Sequence, residues 1–179
     1  MKIRYLSAPL ALLFFGLAVP AHAATAVFVC ATELPGGSQS ADYTNCIEAA
    51  LAAETAFLEG NRPQFRDLRF SAIVGSQTLP LRRELTRGQP LPQVKVSIVR
   101  GGFEGQESYF ELKLLDVLVS AASLEFSEVG DGIPRESFSL RPTRVEYAFR
   151  GQLIDGGFGP WVFLCVDYTD GTSIDGECG

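Results

Sequence analysis

The chain has 179 residues, 15 of them Lys or Arg and 21 Asp or Glu, for a formal net charge of −6. That excess of negative charge disfavours nucleic acid and anionic membrane as partners, because binding a phosphate lattice needs a concentrated positive field. There is a single histidine, His22, so its fate bounds the acid–base and metal chemistry open to the chain.

The first element is an export signal. Lys2 and Arg4 precede an apolar run from Pro9 to Val19 that has the length of a signal-peptide core and is too short to span a bilayer. Pro20 ends the run, and Ala21-His22-Ala23 presents small residues where a signal peptidase reads them, so cleavage is expected after Ala23. Removing 23 residues from 179 leaves 156, residues 24–179, enough for one domain with its own core. His22, Lys2 and Arg4 leave with the signal, so 13 basic residues face 21 acidic ones and no histidine remains. Its loss removes Ser–His and Cys–His catalysis and most zinc or copper sites. The expected location is the periplasm or outside the cell, with no membrane span after cleavage.

Ala26 to Thr32 reads as a strand ending at Leu34-Pro35-Gly36-Gly37. Asn45 to Glu59 is alanine-rich, and propensity alone reads it as a helix. Leu79 to Arg87 reads as a second helix, with Pro80 near its start and Gly88 as its stop. From Val94 the pattern has period two. Val94, Val96 and Ile98 form one arm of a hairpin, Gly101, Gly102 and Gly105 the turn, and Phe110, Leu112 and Leu114 the other arm. At Leu114-Leu115 the phase slips, and Leu115, Val117 and Val119 continue on the opposite parity; a bulge or bend there lets one long strand keep its apolar residues inward. Gly130-Asp131-Gly132 and Pro134 mark a turn, and Ser137–Leu140 and Val145–Phe149 read as strands separated by Pro142. Trp161 to Val166 is apolar throughout and suits a strand buried on both faces, with Trp161, Phe163, Phe158 and Tyr147 read as core or, for some of them, as the lining of a binding surface.

Four cysteines, Cys30, Cys46, Cys165 and Cys178, survive cleavage, and an even number in an exported chain reads as disulfides. Of the three pairings, Cys30 with Cys46 and Cys165 with Cys178 is favoured, since each closes a short loop worth about 3 kcal/mol. Their spacing does not suit a zinc site.

Leu91-Pro92-Gln93-Val94-Lys95-Val96, Tyr109–Leu124 (YFELKLLDVLVSAASL), Pro134–Leu140 (PRESFSL) and Arg144–Phe149 (RVEYAF) together resemble the haemolysin-coregulated protein (Hcp) family, the tube proteins of type VI secretion systems. Family members carry a GK-LPKV lead-in, an aromatic Y-x-I-x-L-x-D-V-x-V-S strand, a P-x-E-x-V-S-L strand and a closing K-I-x-W-x-Y strand, in this order. More faintly, Ala26–Ser38 is similar to the family's opening strand and turn, and Ile47–Phe57 occupies the place of its second strand. The resemblance covers most of residues 26–163. It implies a mainly β fold, a closed β-barrel of two packed antiparallel sheets with one short helix. It makes the alanine-rich segment a strand despite its propensity. It also implies protein partners, either further copies in a homo-hexameric ring or components of the secretion system. The export signal, the four cysteines and the tail after Val166 depart from the family pattern.

The remaining chemistry is sparse. Asp167, Asp170, Asp175 and Glu177 lie among glycines in the tail, but their spacing is not that of a calcium loop, and plain turns are favoured. The Gly-rich stretches 101–105 and 156–159 lack the Lys-Ser/Thr of a phosphate loop. Glu125, Glu128 and Glu136 would be the carboxylates of a hydrolase if two of them met, and otherwise are a solvated acidic surface. Arg82, Arg83 and Arg87 cluster on the short helix, as a solvated face or, by the resemblance, a subunit contact. No cofactor is implied. The leading reading is an exported, non-catalytic Hcp-like structural protein; the alternative is a monomeric, disulfide-stapled periplasmic or secreted binding module.

Overall fold

The computed structural model describes residues 25–102, 105–126 and 132–179. The segment expected to be an export signal, with His22, lies outside the described residues, as do Glu128 and the turn residues Gly130 and Asp131. In chain order the elements are β1 (Thr25–Cys30), a 3-10 turn (Ala41–Tyr43), β2 (Ile47–Ala49), β3 (Leu51–Glu59), β4 (Arg62–Ile73), α1 (Leu79–Arg87), β5 (Leu91–Gly102), β6 (Gly105–Glu125), β7 (Arg135–Arg141), β8 (Arg144–Phe149), β9 (Val162–Asp167) and β10 (Thr172–Ile174). Strand pairing is antiparallel throughout these ladders. One sheet runs β10–β9–β8–β6–β5–β1–β2, and a second arm runs β6–β7–β4–β3.

The hairpin is β5–β6, with Val94 opposite Leu114, Val96 opposite Leu112 and Ile98 opposite Phe110, the three pairs that period two lines up. The slip at Leu114-Leu115 is a corner. Phe110–Leu115 pair with β8, whereas Leu118–Glu125 pair with β7, so one 21-residue strand serves both sheets. Between those halves Asp116 takes φ 50°, a left-handed conformation that side chains rarely adopt. Thr143 holds the corner: its amide donates to the Leu115 carbonyl at 3.0 Å, and its hydroxyl lies 3.3 Å from both that carbonyl and the Asp116 carboxylate. The bend lets Leu112 and Leu114 before it and Val117 and Val119 after it all stay at or below 5% exposed.

A second corner lies at Ala50. β2 pairs with β1 and β3 with β4, and between them the Ala50 amide donates to the Ser71 carbonyl at 2.7 Å. The alanine-rich segment is therefore strand, and its helix propensity is overridden: Val29, Phe70 and the neighbouring core offer it pairing and burial that an isolated helix lacks. The two sheets share the bent strand β6, and the chain passes between them a second time at Ala50, where β2 gives way to β3 without a ladder between those two strands.

Inside lie Phe70, Phe138, Leu68, Leu140, Leu114 and Val94, each at most 1% exposed. Helix α1 spans the residues expected of it; Leu81 is fully buried, and Gly88 ends the helix at φ 62° with its amide bonded to the Glu84 carbonyl at 2.9 Å. The expectation for Trp161–Val166 is corrected. β9 is the penultimate strand of the long arm and reaches past the cover of the second sheet, leaving Val162 67% and Leu164 39% exposed. Trp161, Phe163 and Phe158 are likewise only partly buried, and of the four assigned aromatics it is Tyr147 that packs against the core.

Candidate interaction surface

The long sheet has an inner face, carrying Val29, Val96, Leu112 and Tyr147 in register, and an outer face offset by one residue. Across the outer face one register row reads Cys30, Lys95, Lys113, Glu146, Cys165 and Ile174. Its charges are paired within the sheet, Lys95 with Glu111 at 2.8 Å and Lys113 with Glu146 at 3.5 Å. The two cysteines of this row stand near opposite margins of the sheet, and each ties down a segment that crosses the outer face.

At one margin Cys30 bonds to Cys46 across the 31–46 loop. Tyr43 of that loop stacks on Phe28 with ring centres 4.3 Å apart, and Phe28, Val99 and Cys46 form a small second core at 0–6% exposure. Gly36 makes the fit possible: its amide donates to the Asn45 carbonyl at 2.6 Å, and any Cβ on it would lie 2.1 Å from the Cys46 backbone. At the other margin Cys165 bonds to Cys178 of the tail. There the Cys178 amide donates to the Glu146 carboxylate at 2.6 Å and the Gly176 amide to the Phe163 carbonyl at 3.2 Å. The favoured pairing of the cysteines is the one present.

The arginines of α1 are engaged within the chain. Arg82 pairs with Glu136, a core-facing carboxylate of β7 that is 2% exposed, and Arg83 and Arg87 each lie 3.2 Å from Glu84. Their side chains remain 43–55% exposed, which leaves them on the surface as well. Glu136 stands opposite Leu124, so Glu125, one residue on, points to the other face, and the sheet separates these two carboxylates. In the tail, Asp167 accepts from the Thr169 amide at 2.8 Å and hydroxyl at 2.5 Å, and Asp170 does the same for Thr172 at 2.9 and 2.7 Å. These are Asx turns. The Thr169 hydroxyl first, then its amide, hold the Asp167 carboxyl below the usual carboxylate range.

Two constellations were not read from the sequence. The Tyr147 hydroxyl donates to Glu54 at 2.5 Å and lies 2.9 Å from the Tyr168 hydroxyl, bridging β8 to β3 across the interior. Burial first, then the bonds to Glu54 and Tyr168, push the Tyr147 phenol far above its ordinary value; burial raises the Tyr168 phenol as well, against the opposing bond from Tyr147. Arg150 lies between two rings, 4.6 Å from the centre of Phe158 and 4.7 Å from that of Trp161. An arginine flanked by Phe149, Phe158 and Trp161 was the available signal for the second; for the first, Glu54 and Tyr147 are 93 positions apart and nothing local links them.

Residues 32–149 match the sequence model of the family described as type VI secretion system effector, Hcp. The chain belongs to the Hcp family. Solved structures agree in fold. Hcp1 from Salmonella typhimurium superposes with a TM-score of 0.72 at 18% identity, covering 84% of this chain and 99% of that one. A structure titled as a type six secretion system protein gives 0.76 at 16% identity, covering 84% and 100%. A type VI secretion system effector from Yersinia pestis gives 0.64 at 16% identity, covering 79% and 98%. No curated protein sequence matches. The Hcp match begins after Cys30 and ends before Cys165, so each disulfide anchors through at least one cysteine outside the stretch that matches the family model. No helix among the described residues is long and apolar enough to cross a membrane.

Proposed function

We propose that this Hcp family member is an exported structural protein that works through protein contacts and not by transforming a substrate. The observation that carries this reading is the Hcp architecture with two disulfide-tied segments added across one face of its long sheet. Disulfides persist where thiols are not kept reduced, which supports export, with residues 1–23 as the signal and the periplasm or exterior as the destination.

Ring assembly through a heterologous contact, one surface of each copy meeting a different surface of the next, is the associated mode. Two features support it. β3 pairs only with β4 among the described residues, leaving a nine-residue edge open, with Phe57 47% and Leu58 70% exposed beside it. An open edge of that length is a template for another chain. The half-exposed Arg82, Arg83 and Arg87 provide a polar contact for the acidic surface of a neighbour. The test is the mass of the mature, oxidised protein by size-exclusion with light scattering. A closed hexamer gives about six times the monomer mass; a monomer overturns ring formation and establishes the binding-module reading. Amino-terminal sequencing of the exported protein checks the cut after Ala23.

A further inference from the structure

Where β1, β5, β6 and β8 end together, the side chains of Arg100, Tyr109, Phe149, Arg150, Gln152 and Phe158 enclose an open pocket of about 320 Å³. That is the lower end of the range for small-ligand sites, and its composition, aromatic walls with a few fixed polar groups, is the usual one. The chain is acidic as a whole, yet two guanidiniums meet here. Arg150 is held in place: its Nε donates to the Ser108 carbonyl at 2.6 Å, one Nη lies 3.3 Å from Glu107, and Phe158 and Trp161 hold its faces. Arg100 is different. Its side-chain hydrogen bond goes to a neutral amide, with Nη1 donating to Gln152 Oε1 at 2.7 Å, while Glu107, opposite it in the β5–β6 ladder, gives its ion pair to Arg150.

The site is preformed. Gln152 and Phe158 face each other in an antiparallel bridge, the Gln152 amide group donates to the Gly156 carbonyl at 3.2 Å, and Phe158 lies parallel to Tyr109 with ring centres 6.5 Å apart. Phe149 is 50% exposed although it stands on the core-facing side of β8, which makes it an apolar wall awaiting contact. A guanidinium with spare donors beside an aromatic slot fits a flat apolar body that ends in a carboxylate, because the charge-assisted pair orients the group and the rings bury the body. The geometry points to a binding site for an aryl carboxylate, either a free small acid or the carboxy-terminal aromatic residue of a partner protein. This rests on the pocket alone and is independent of ring assembly.

Trp161 is the only tryptophan of the chain and packs on Arg150, so its fluorescence reports occupancy. Mature oxidised protein is titrated with 3-phenylpropanoate, its neutral amide, and acetate, with calorimetry in parallel. The acid is expected to bind with a dissociation constant below about 1 mM and about tenfold more tightly than either comparator. Arg100→Gln, at an exposed position whose loss leaves folding intact, is expected to remove that tenfold preference. Acetyl-alanyl-phenylalanine with a free or an amidated terminus then separates the two sources: tighter binding of the free peptide than of 3-phenylpropanoate assigns the site to a protein terminus, and the reverse to a small acid. Equal affinity for acid and amide, wild-type behaviour of Arg100→Gln, or no heat and no fluorescence change overturns the assignment.

Discussion

Replacing both members of one staple, Cys30→Ala with Cys46→Ala, tests how far this Hcp protein depends on its disulfides. The bond joins residues 16 apart in sequence, and closing a loop of that length restricts the unfolded chain by about 3 kcal/mol. The second bond, 13 apart, closes a loop that does not overlap the first, so its contribution is nearly the same and adds to it. Reduction of both then removes about 6 kcal/mol, against a whole-domain stability of about 5–15 kcal/mol. The two staples differ in what their release exposes. Opening the 31–46 loop uncovers Phe28 and Val99, at 2% and 0% exposed, whereas opening the tail frees mainly turns. The Cys30/Cys46 variant is therefore expected to lose more than the Cys165→Ala, Cys178→Ala variant, by about 1 kcal/mol of apolar burial. Guanidinium unfolding of the mature protein, oxidised and with reductant, measures each loss; the single-staple variants are expected to melt about 6–12 °C lower. A loss under about 1 kcal/mol for either pair, or an unchanged midpoint under reductant, would refute the loop-closure reasoning.

Further outcomes follow from single side chains. Arg82→Met leaves the buried Glu136 carboxylate without its partner and is expected to cost about 2–3 kcal/mol in a urea titration, whereas Arg83→Ala, which leaves the buried Glu84 its second partner Arg87, costs under about 0.5 kcal/mol; equal losses would show that the Glu136 pair contributes no more than a surface contact. Tyr147→Phe removes a hydroxyl shared with Glu54 and Tyr168 and is expected to cost about 1–2 kcal/mol at neutral pH. Because folding raises the Tyr147 phenol above its unfolded value, its contribution is whole below about pH 10 and is lost as the pH climbs past it. Unfolding midpoints taken across that range should fall steeply for the native protein and more gently for Tyr147→Phe. At the corner of β6, Asp116→Gly should stay within about 0.5 kcal/mol of the parent, while Asp116→Val, a β-branched side chain forced to φ 50°, should lose about 1–2 kcal/mol in thermal unfolding.

Much of the fold was legible because its signals are local. Period two located β5 through β8, the parity slip at Leu114-Leu115 located the corner one residue short of Asp116, and Pro80 with Gly88 bounded α1. β4 gave no such signal: Phe65 and Leu68 face the core three residues apart while Phe70 and Ala72 resume the alternation, so an irregularity hides the period. In the alanine-rich segment propensity alone pointed to helix and the family resemblance to strand; it is strand, since alanine's helix preference is a weak local term that pairing with β1 and β4 outweighs. β9 misled because an apolar run looks the same whether it is central or overhangs the sheet. Of the surface, the cysteine pairing was readable from loop lengths, and the partners of Arg82, Arg83 and Arg87 were not.

Alternation, punctuation and cysteine spacing are properties of neighbours in the chain, and they alone determined the hairpin with its bent strand, the helix at Leu79–Arg87 and two short disulfide loops, while the mainly β class with a single short helix came from the family resemblance. Only the tertiary structure decided that both loops cross the same face of the long sheet, that Glu136 is neutralised by Arg82, and that two arginines and three aromatic rings surround one pocket. Those facts depend on strand register between segments far apart in the chain, Thr25 opposite Arg100 and Leu68 opposite Leu140 among them, and register is set by the joint burial of the whole core, which no single stretch of sequence carries.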